Sequence, residues 1–300
     1  MLKNIVFSGC FTKGIIYIGI FKALEELNIR SNIQTYCGVS SGSIAALMGI
    51  LDFTSLEMEK IIYNISLDNL MNLKNSFELF NIYNKCGILD GNKIVKFIEI
   101  ILENKFGNKH ITFNELKLQI PNKDLIVIGT NLNSNSVSVF SNKISPDMKL
   151  STAIRISTSF PLVFKPVKYN NSFYADGGLI NNFPVDIFDE ELETTIGISI
   201  KIDTIRINEI ITLDSYLMKI FELLTTQKEE YLKEKYKNQT ICIDLTNQLD
   251  DIFDFSNSYK KKLISIGYNQ FIEKYIKKTQ YITHIVKSIL DDIINISINN

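Results

Sequence analysis

Residues 38 to 42 read Gly-Val-Ser-Ser-Gly, a setting in which Ser40 is a candidate nucleophile. A serine on a sharp turn between strand and helix needs glycine on both sides, here Gly38 and Gly42, because side chains would crowd the bend. The N-terminus of the following helix favours negative charge developing beside the serine oxygen. Ser41 and Ser43 fall inside that helix and are poorer candidates. A hydroxyl is a weak nucleophile until a base takes its proton. Histidine is the usual base, and the chain has two. His110 sits in a polar turn beside Lys109, ahead of Thr112, and reads as a solvated loop residue. His284 lies within the last helical stretch, with no loop at a strand end, and reads as structural. A carboxylate is the remaining base. Asp176 ends a short strand pattern and precedes Gly177 and Gly178, which let the backbone turn tightly, although Asp-Gly-Gly is also a common plain turn.

A second constellation is Gly9-Cys10-Phe11-Thr12-Lys13-Gly14, between the first strand and the first helix. Such a loop aims backbone N–H groups at an anion. A nucleotide-binding P-loop needs Lys and Ser or Thr directly after Gly14, where Ile15 and Ile16 stand. A dinucleotide fingerprint needs glycine in place of Phe11. Phosphate cradling is therefore disfavoured, and an oxyanion hole is the sharper expectation.

The elements that must position these residues alternate. Lys3 to Phe7 reads as a buried strand and Gly14 to Leu27 as an amphipathic helix. Thr35 to Val39 is the next strand, and Ser41 to Leu51 a small-residue helix. This alternation predicts an α/β fold with parallel strands. Asp90 caps a predicted helix over 92–104, and Thr112 with Glu115 forms a capping box. Strands are expected at 125–130 and 137–140, a helix at 150–158, and strands at 172–175, 195–200 and 241–245. A long helix is expected from about Glu209 to Lys235, and two basic amphipathic helices at the end. With no repeat and no linker, one domain is expected over 1–300, an α/β core of about 1–205 with a helical part of about 206–300 packed on it.

Composition narrows the function classes. The 300 residues are 45% hydrophobic with a formal charge of −1, enough for a packed core and unlike the basic footprint of a nucleic-acid binder. Cys10, Cys37, Cys86 and Cys242 form no C-x-x-C pair and read as reduced, mostly buried thiols of an intracellular protein. Phe7-Ser8-Gly9-Cys10 lacks the apolar stretch of a lipoprotein signal, and no run of 18 apolar residues predicts a transmembrane helix. The expectation is a protein that is soluble or peripheral on membranes. Lys260, Lys261, Lys262, Lys274, Lys277 and Lys278 beside Phe271, Ile272 and Tyr275 suit either a membrane-facing surface or a packing helix with a solvated face.

Taken in order, these blocks resemble the patatin-like phospholipase family. The resemblance rests on the Ser8 to Gly14 loop, the Gly38 to Gly42 elbow and the Tyr174-Ala175-Asp176-Gly177-Gly178 block that runs on to Val185. Ala153 to Phe164 and Leu263 to Tyr268 resemble further family segments, so the likeness spans nearly the whole chain. It implies a three-layer α/β/α fold with a central, mostly parallel sheet. It implies a Ser–Asp dyad that hydrolyses acyl esters of lipids with no metal or cofactor, Ser40 as nucleophile and Asp176 as proton acceptor. Amides of Gly9, Cys10, Phe11, Thr12, Lys13 and Gly14 would bind the oxyanion. The implied partner is a lipid substrate at a membrane surface, with a protein activator left open. Cys10 and Phe11 depart from the family, which carries glycines there. Two other readings stay open beside it: a weak or inactive lipid- or protein-binding module on the same fold, and a Ser-His-Asp hydrolase.

Overall fold

A computed structural model describes residues 1–65, 86–202, 213–246 and 256–298. Strands β1 (Asn4–Phe7), β2 (Thr35–Val39), β3 (Asp124–Asn131), β4 (Ser136–Phe140), β5 (Val167–Tyr169), β6 (Ser172–Asp176), β7 (Thr195–Lys201) and β8 (Thr240–Asp244) form one sheet. Hydrogen-bonded neighbours run β5-β6-β3-β2-β1-β7-β8, with β4 also paired to β3. The β3-β2-β1-β7-β8 part is parallel, while β4, β5 and β6 add antiparallel pairings. Helices cover both faces, so the fold is the expected α/β layer arrangement with a mostly parallel sheet.

Coverage of both faces explains why the central strands are apolar along their length. In β1, Ile5 and Phe7 enter the large core with the helices α1 (Ile16–Glu26) and α2 (Ser41–Ile50). Val6 points to the other face, where it meets Cys37, Val39, Ile128 and Phe188. The remaining helices are α3 (Ser55–Asn64), α4 (Asn92–Phe106), α5 (Phe113–Gln119), α6 (Leu150–Ser157), α7 (Leu213–Lys235) and α8 (Asn257–Ile298). The predicted capping box at Thr112 and Glu115 is present at α5, and a second one, Thr54 with Glu57, opens α3.

The structure departs from the sequence reading in four places. The chain ends in one continuous helix of 42 residues, α8, in place of two. Nothing from 257 to 298 breaks it, and its one glycine serves packing. A Cβ on Gly267 would collide with the Ile16 carbonyl, as one on Gly19 would with the Ile264 carbonyl, so this pair lets α1 and α8 cross at close range. Strand β5 was not expected; Asn170 and Asn171, both at positive φ (43° and 62°), make the two-residue hairpin that pairs it with β6. Cys86 is exposed, unlike Cys10 and Cys37. Part of the basic face of α8 turns inward: Lys260 Nζ donates to the carbonyls of Ile62 (2.8 Å) and Ile65 (3.1 Å) at the end of α3, and Lys274 Nζ to that of Cys242 (2.6 Å). Lys261, Lys262 and Lys277 remain exposed. The expected start of the long helix near Glu209 lies outside the described residues, and α7 is described from Leu213.

Candidate active site

Ser40 stands between β2 and α2 with φ 52° and ψ −129°, a conformation that L-residues adopt only under constraint. The constraint is visible on both sides. A Cβ on Gly38 would strike the Gly42 carbonyl, and one on Gly42 the carbonyls of Phe7 and Ser8 at the end of β1. The Ser40 N–H donates to Ser157 Oγ (2.9 Å), and Ser43 Oγ donates to the Ser40 carbonyl (2.6 Å). Ser43 is thereby a brace for the turn.

The sheet register brings Asp176 to this turn. Thr35 to Val39 of β2 pair with Asp124 to Ile128 of β3, and Tyr174 to Asp176 of β6 pair with Asn131 to Gly129. Strand β4 pairs with Val127 to Asn131, overlapping both partners. It must therefore take the opposite edge of β3, leaving β2 and β6 to share one edge end to end. Ser40 follows Val39, and Asp176 pairs with the next residue of β3, Gly129. The Asp176 backbone is held at both ends, N–H to the Ser159 carbonyl (3.0 Å) and carbonyl from Thr130 Oγ1 (2.9 Å). Ser159 is in turn bonded by buried Arg155, which also donates to the carbonyls of Asp90 (2.9 Å) and Lys165 (2.9 Å). Thus the Ala153 to Phe164 segment fixes Asp176.

The carboxyl of Asp176 is 2% exposed. Oδ1 accepts from the Gly178 N–H (2.8 Å), while buried Oδ2 has no hydrogen-bond partner. Burial pushes its pKa up to about 7, against the lowering effect of the nearby Ser40 hydroxyl and the Gly178 amide. The Ser40 hydroxyl thus lies close enough to the carboxyl to oppose the shift, although Oδ2 completes no hydrogen bond.

The Gly9 to Gly14 loop packs on the same turn. A Cβ on Gly9 would lie 3.0 Å from Ser40 Cβ. Phe11 has φ 51°, so a residue that the family pattern makes glycine adopts a left-handed conformation here with a full side chain. Cys10 does not, with φ −149°. The Cys10 N–H donates to Ser41 Oγ (3.0 Å), and burial pushes the Cys10 thiol up to about 12, which makes it inert as a nucleophile. Lys13 is buried, with Nζ bonded to the Tyr259 hydroxyl and 4.6 Å from that ring's centroid.

From Ser40 a cavity of about 200 Å³ runs between α1, α2, α3 and α4. Its walls are mostly apolar and include Ile18, Phe21, Met48, Met58 and Phe97 together with Phe11, Phe160 and Thr158. The Phe11 and Phe160 rings meet edge to face, 5.6 Å between centroids. An apolar cavity with a serine in its lining suits a hydrocarbon chain carrying a carbonyl.

His110 is half-exposed beside Glu99, with Nδ1 3.4 Å from its carboxylate, and lines no part of the cavity. His284 falls within α8. Among the described residues no group of three His, Cys, Asp or Glu gathers to hold a metal, and no helix is long and apolar enough to cross a membrane. Two residues beside the loop escaped the sequence reading. Asn182 bonds Gly9, and Glu229 bonds Asn182. Asn182 lies in the block after Asp176, but a polar residue in mid-helix such as Glu229 carries no sequence signal.

A three-layer α/β fold with a strained serine elbow, a buried aspartate and an apolar slot defines a class, and comparison with known proteins gives the class its name. The patatin-like phospholipase model matches residues 5–189. The chain belongs to that family. It is 30% identical to the uncharacterized protein R571 of Acanthamoeba polyphaga mimivirus, over 92% of this chain and 94% of that one. It is 35% identical to the probable lipid hydrolase 463L of Invertebrate iridescent virus 6, over 62% of each. Among solved structures, VipD from Legionella pneumophila superposes with a TM-score of 0.59 at 16% identity, covering 91% of this chain and 66% of VipD. ExoU in complex with SpcU, from Pseudomonas aeruginosa, gives 0.54 at 20% identity, covering 93% of this chain and 52% of that one. The chain thus spans about half to two thirds of these structural neighbours, and the likeness to them is one of fold.

Proposed function

We propose that the protein is a lipid acyl hydrolase of phospholipase A or lysophospholipase type, working through Ser40 and Asp176. One observation carries the reading: a buried aspartate with one unpartnered carboxyl oxygen lies beside a serine on a strained turn, and that serine lines an apolar cavity. The family and the relative named a probable lipid hydrolase support the substrate class. In this mechanism Ser40 Oγ attacks the ester carbonyl carbon while its proton passes to Asp176 Oδ2. The C–O bond to the alcohol then breaks, the alcohol takes that proton, and an acyl-serine remains. Water, giving its proton to the same carboxylate, attacks the acyl-serine, and Ser40 recovers a proton as the fatty acid leaves.

A carboxylate with a pKa near 4 is a poor base for a serine proton. Burial that lifts Asp176 to about 7 narrows the mismatch and still leaves about half of it ionised at neutral pH. The developing oxyanion is stabilised by amides of the Gly9 to Gly14 loop and by the N-terminus of α2. Here the Cys10 N–H is the critical donor. Its present acceptor, Ser41 Oγ, is a rotatable hydroxyl that the substrate oxygen displaces. The test is release of fatty acid from a panel of phospholipids, lysophospholipids and neutral glycerides, with Ser40→Ala and Asp176→Asn alongside. Activity that survives in both variants refutes the assignment.

A second reading has its own observation. With the Cys10 amide engaged and Phe11 in a left-handed conformation, a non-catalytic lipid-binding module on this fold would look the same. A fluorophosphonate probe separates the two, labelling Ser40 in an enzyme and leaving a binding module unlabelled.

A further inference from the structure

The peptide that carries the proposed oxyanion donor at Cys10 is bonded to Asn182, within the matched residues 5–189, and Asn182 is bonded to Glu229, beyond them. The Gly9–Cys10 peptide is trans, so its carbonyl and N–H point in opposite directions. The N–H reaches Ser41, on the Ser40 side, while the Gly9 carbonyl accepts from Asn182 Nδ2 (3.0 Å). The Gly9 N–H also donates to the Asn182 backbone carbonyl (3.2 Å). Asn182 therefore grips the peptides on both sides of Gly9 and sets the plane in which the Cys10 N–H points.

Only one orientation of the Asn182 amide can do this. If it flipped, Oδ1 would face the Gly9 carbonyl, and two acceptors would repel. The flip is decided by Glu229 of α7, 8% exposed, whose Oε2 accepts the second N–H of Asn182 Nδ2 (2.7 Å). A carboxylate in that place accepts only, so the nitrogen must face it, and the same nitrogen must then serve Gly9. Glu229 is itself fixed by Ser199 Oγ of β7 (3.0 Å) and by Lys233 Nζ (2.8 Å).

We infer that Glu229 is a positioning residue for the oxyanion loop, acting through Asn182 to hold the Gly9–Cys10 peptide with its N–H toward the substrate carbonyl. The catalytic half of this inference rests on the function proposed above, and the positioning half does not.

Glu229→Ala, Glu229→Gln, Asn182→Ala and the Glu229→Ala/Asn182→Ala pair test it, with two readouts. The first is kcat on a water-soluble ester, divided by the sites that a fluorophosphonate probe titrates, so that misfolded protein does not count. Glu229→Ala and Asn182→Ala should each lose tenfold or more in kcat with KM within about twofold. The pair should lose no more than the worse single variant, because both act through one contact. Glu229→Gln still offers an acceptor oxygen to Asn182 and should stay within about threefold of wild type. The second readout is amide hydrogen exchange over residues 8–14, which should quicken at least tenfold in both alanine variants and not in Glu229→Gln. A merely structural glutamate would lower the melting temperature and leave turnover per titrated site and loop exchange unchanged, and that result overturns the inference. So does a pair whose losses multiply. If the wild-type protein cleaves no ester, the proposed function fails, and loop exchange still decides whether Glu229 positions the loop.

Discussion

Replacing Asp176 by Asn should abolish turnover and make the protein more stable above neutral pH. The folded chain holds the Asp176 proton up to about pH 7, against an ordinary aspartate value of 3.8. Between those limits the folded state binds more protons than the unfolded state, so stability must fall as pH rises. The contribution is fully present below the unfolded value and gone above the folded one. A displacement from 3.8 to about 7 at 1.36 kcal/mol per decade corresponds to at most about 4 kcal/mol. Asparagine is never ionised; its Oδ1 can keep the Gly178 N–H, with Nδ2 in the place of the unpartnered Oδ2. Wild type and Asp176→Asn should therefore be equal within about 1 kcal/mol near pH 4, the value of one hydrogen bond. The variant should lead by about 2–4 kcal/mol at pH 8.5. Urea unfolding at both pH values, with matched m-values, reads the difference. A stability difference that does not change with pH would refute the claim that Asp176 titrates near 7 in the folded chain.

The same titration predicts a rate profile in which kcat/KM falls about tenfold per pH unit below 7, since the protonated carboxyl is no base; a flat profile from pH 5 to 8 refutes it. Ser40→Ala should end probe labelling and lower turnover by about a thousandfold or more; labelling that persists shows the elbow is not the site. His110→Gln with His284→Gln should stay within about tenfold of wild type, roughly 1.4 kcal/mol of barrier; a thousandfold loss in the folded double variant would establish a histidine triad. Phe11→Gly removes about 1–3 kcal/mol of backbone strain together with a wall of the slot. KM for a long-chain ester should rise at least fivefold while that for a short one changes less than twofold, and equal changes on both would show that the ring does not line the acyl path. Gly267→Ala should destabilise the protein by about 1–3 kcal/mol by forcing α1 and α8 apart, measured as a drop in melting temperature.

Most of the core was legible because local rules and tertiary demands agree there. Strand β2 and helix α2 follow directly from an apolar run, a glycine-flanked serine and a run of small residues. Asp176 was legible only as a carboxylate at a strand end; its pKa is raised by burial, and its backbone is held by Thr130 and Ser159, which no local pattern links to it. The end of the chain was read as two helices and is one, α8, whose Gly267 answers to the Ile16 carbonyl far away in the chain. Lys260 and Lys274 show the same limit: their spacing reads as a solvated face, and their ammonium groups close carbonyls of other elements. Phe11 was recognised as a departure from the family's glycines, but its role as a slot wall depends on Phe160, visible only after folding.

Strand β3 carries two neighbours along one edge, and this divides the machinery by stiffness. Val39 and Asp176 pair with successive residues of β3, Ile128 and Gly129, so the placing of Ser40 beside Asp176 follows from the register of one strand. The Gly9 to Gly14 segment lies outside the sheet: it runs into a 3-10 turn over Phe11–Ile15 and is tied to the Asn182 backbone and to the side chains of Asn182, Ser41 and Tyr259. A binding event that tilted α7 or α8 would thus re-aim the loop while the serine and the carboxylate stayed in register. On the proposed mechanism, such an event would change how well charge is received more than where Ser40 and Asp176 stand.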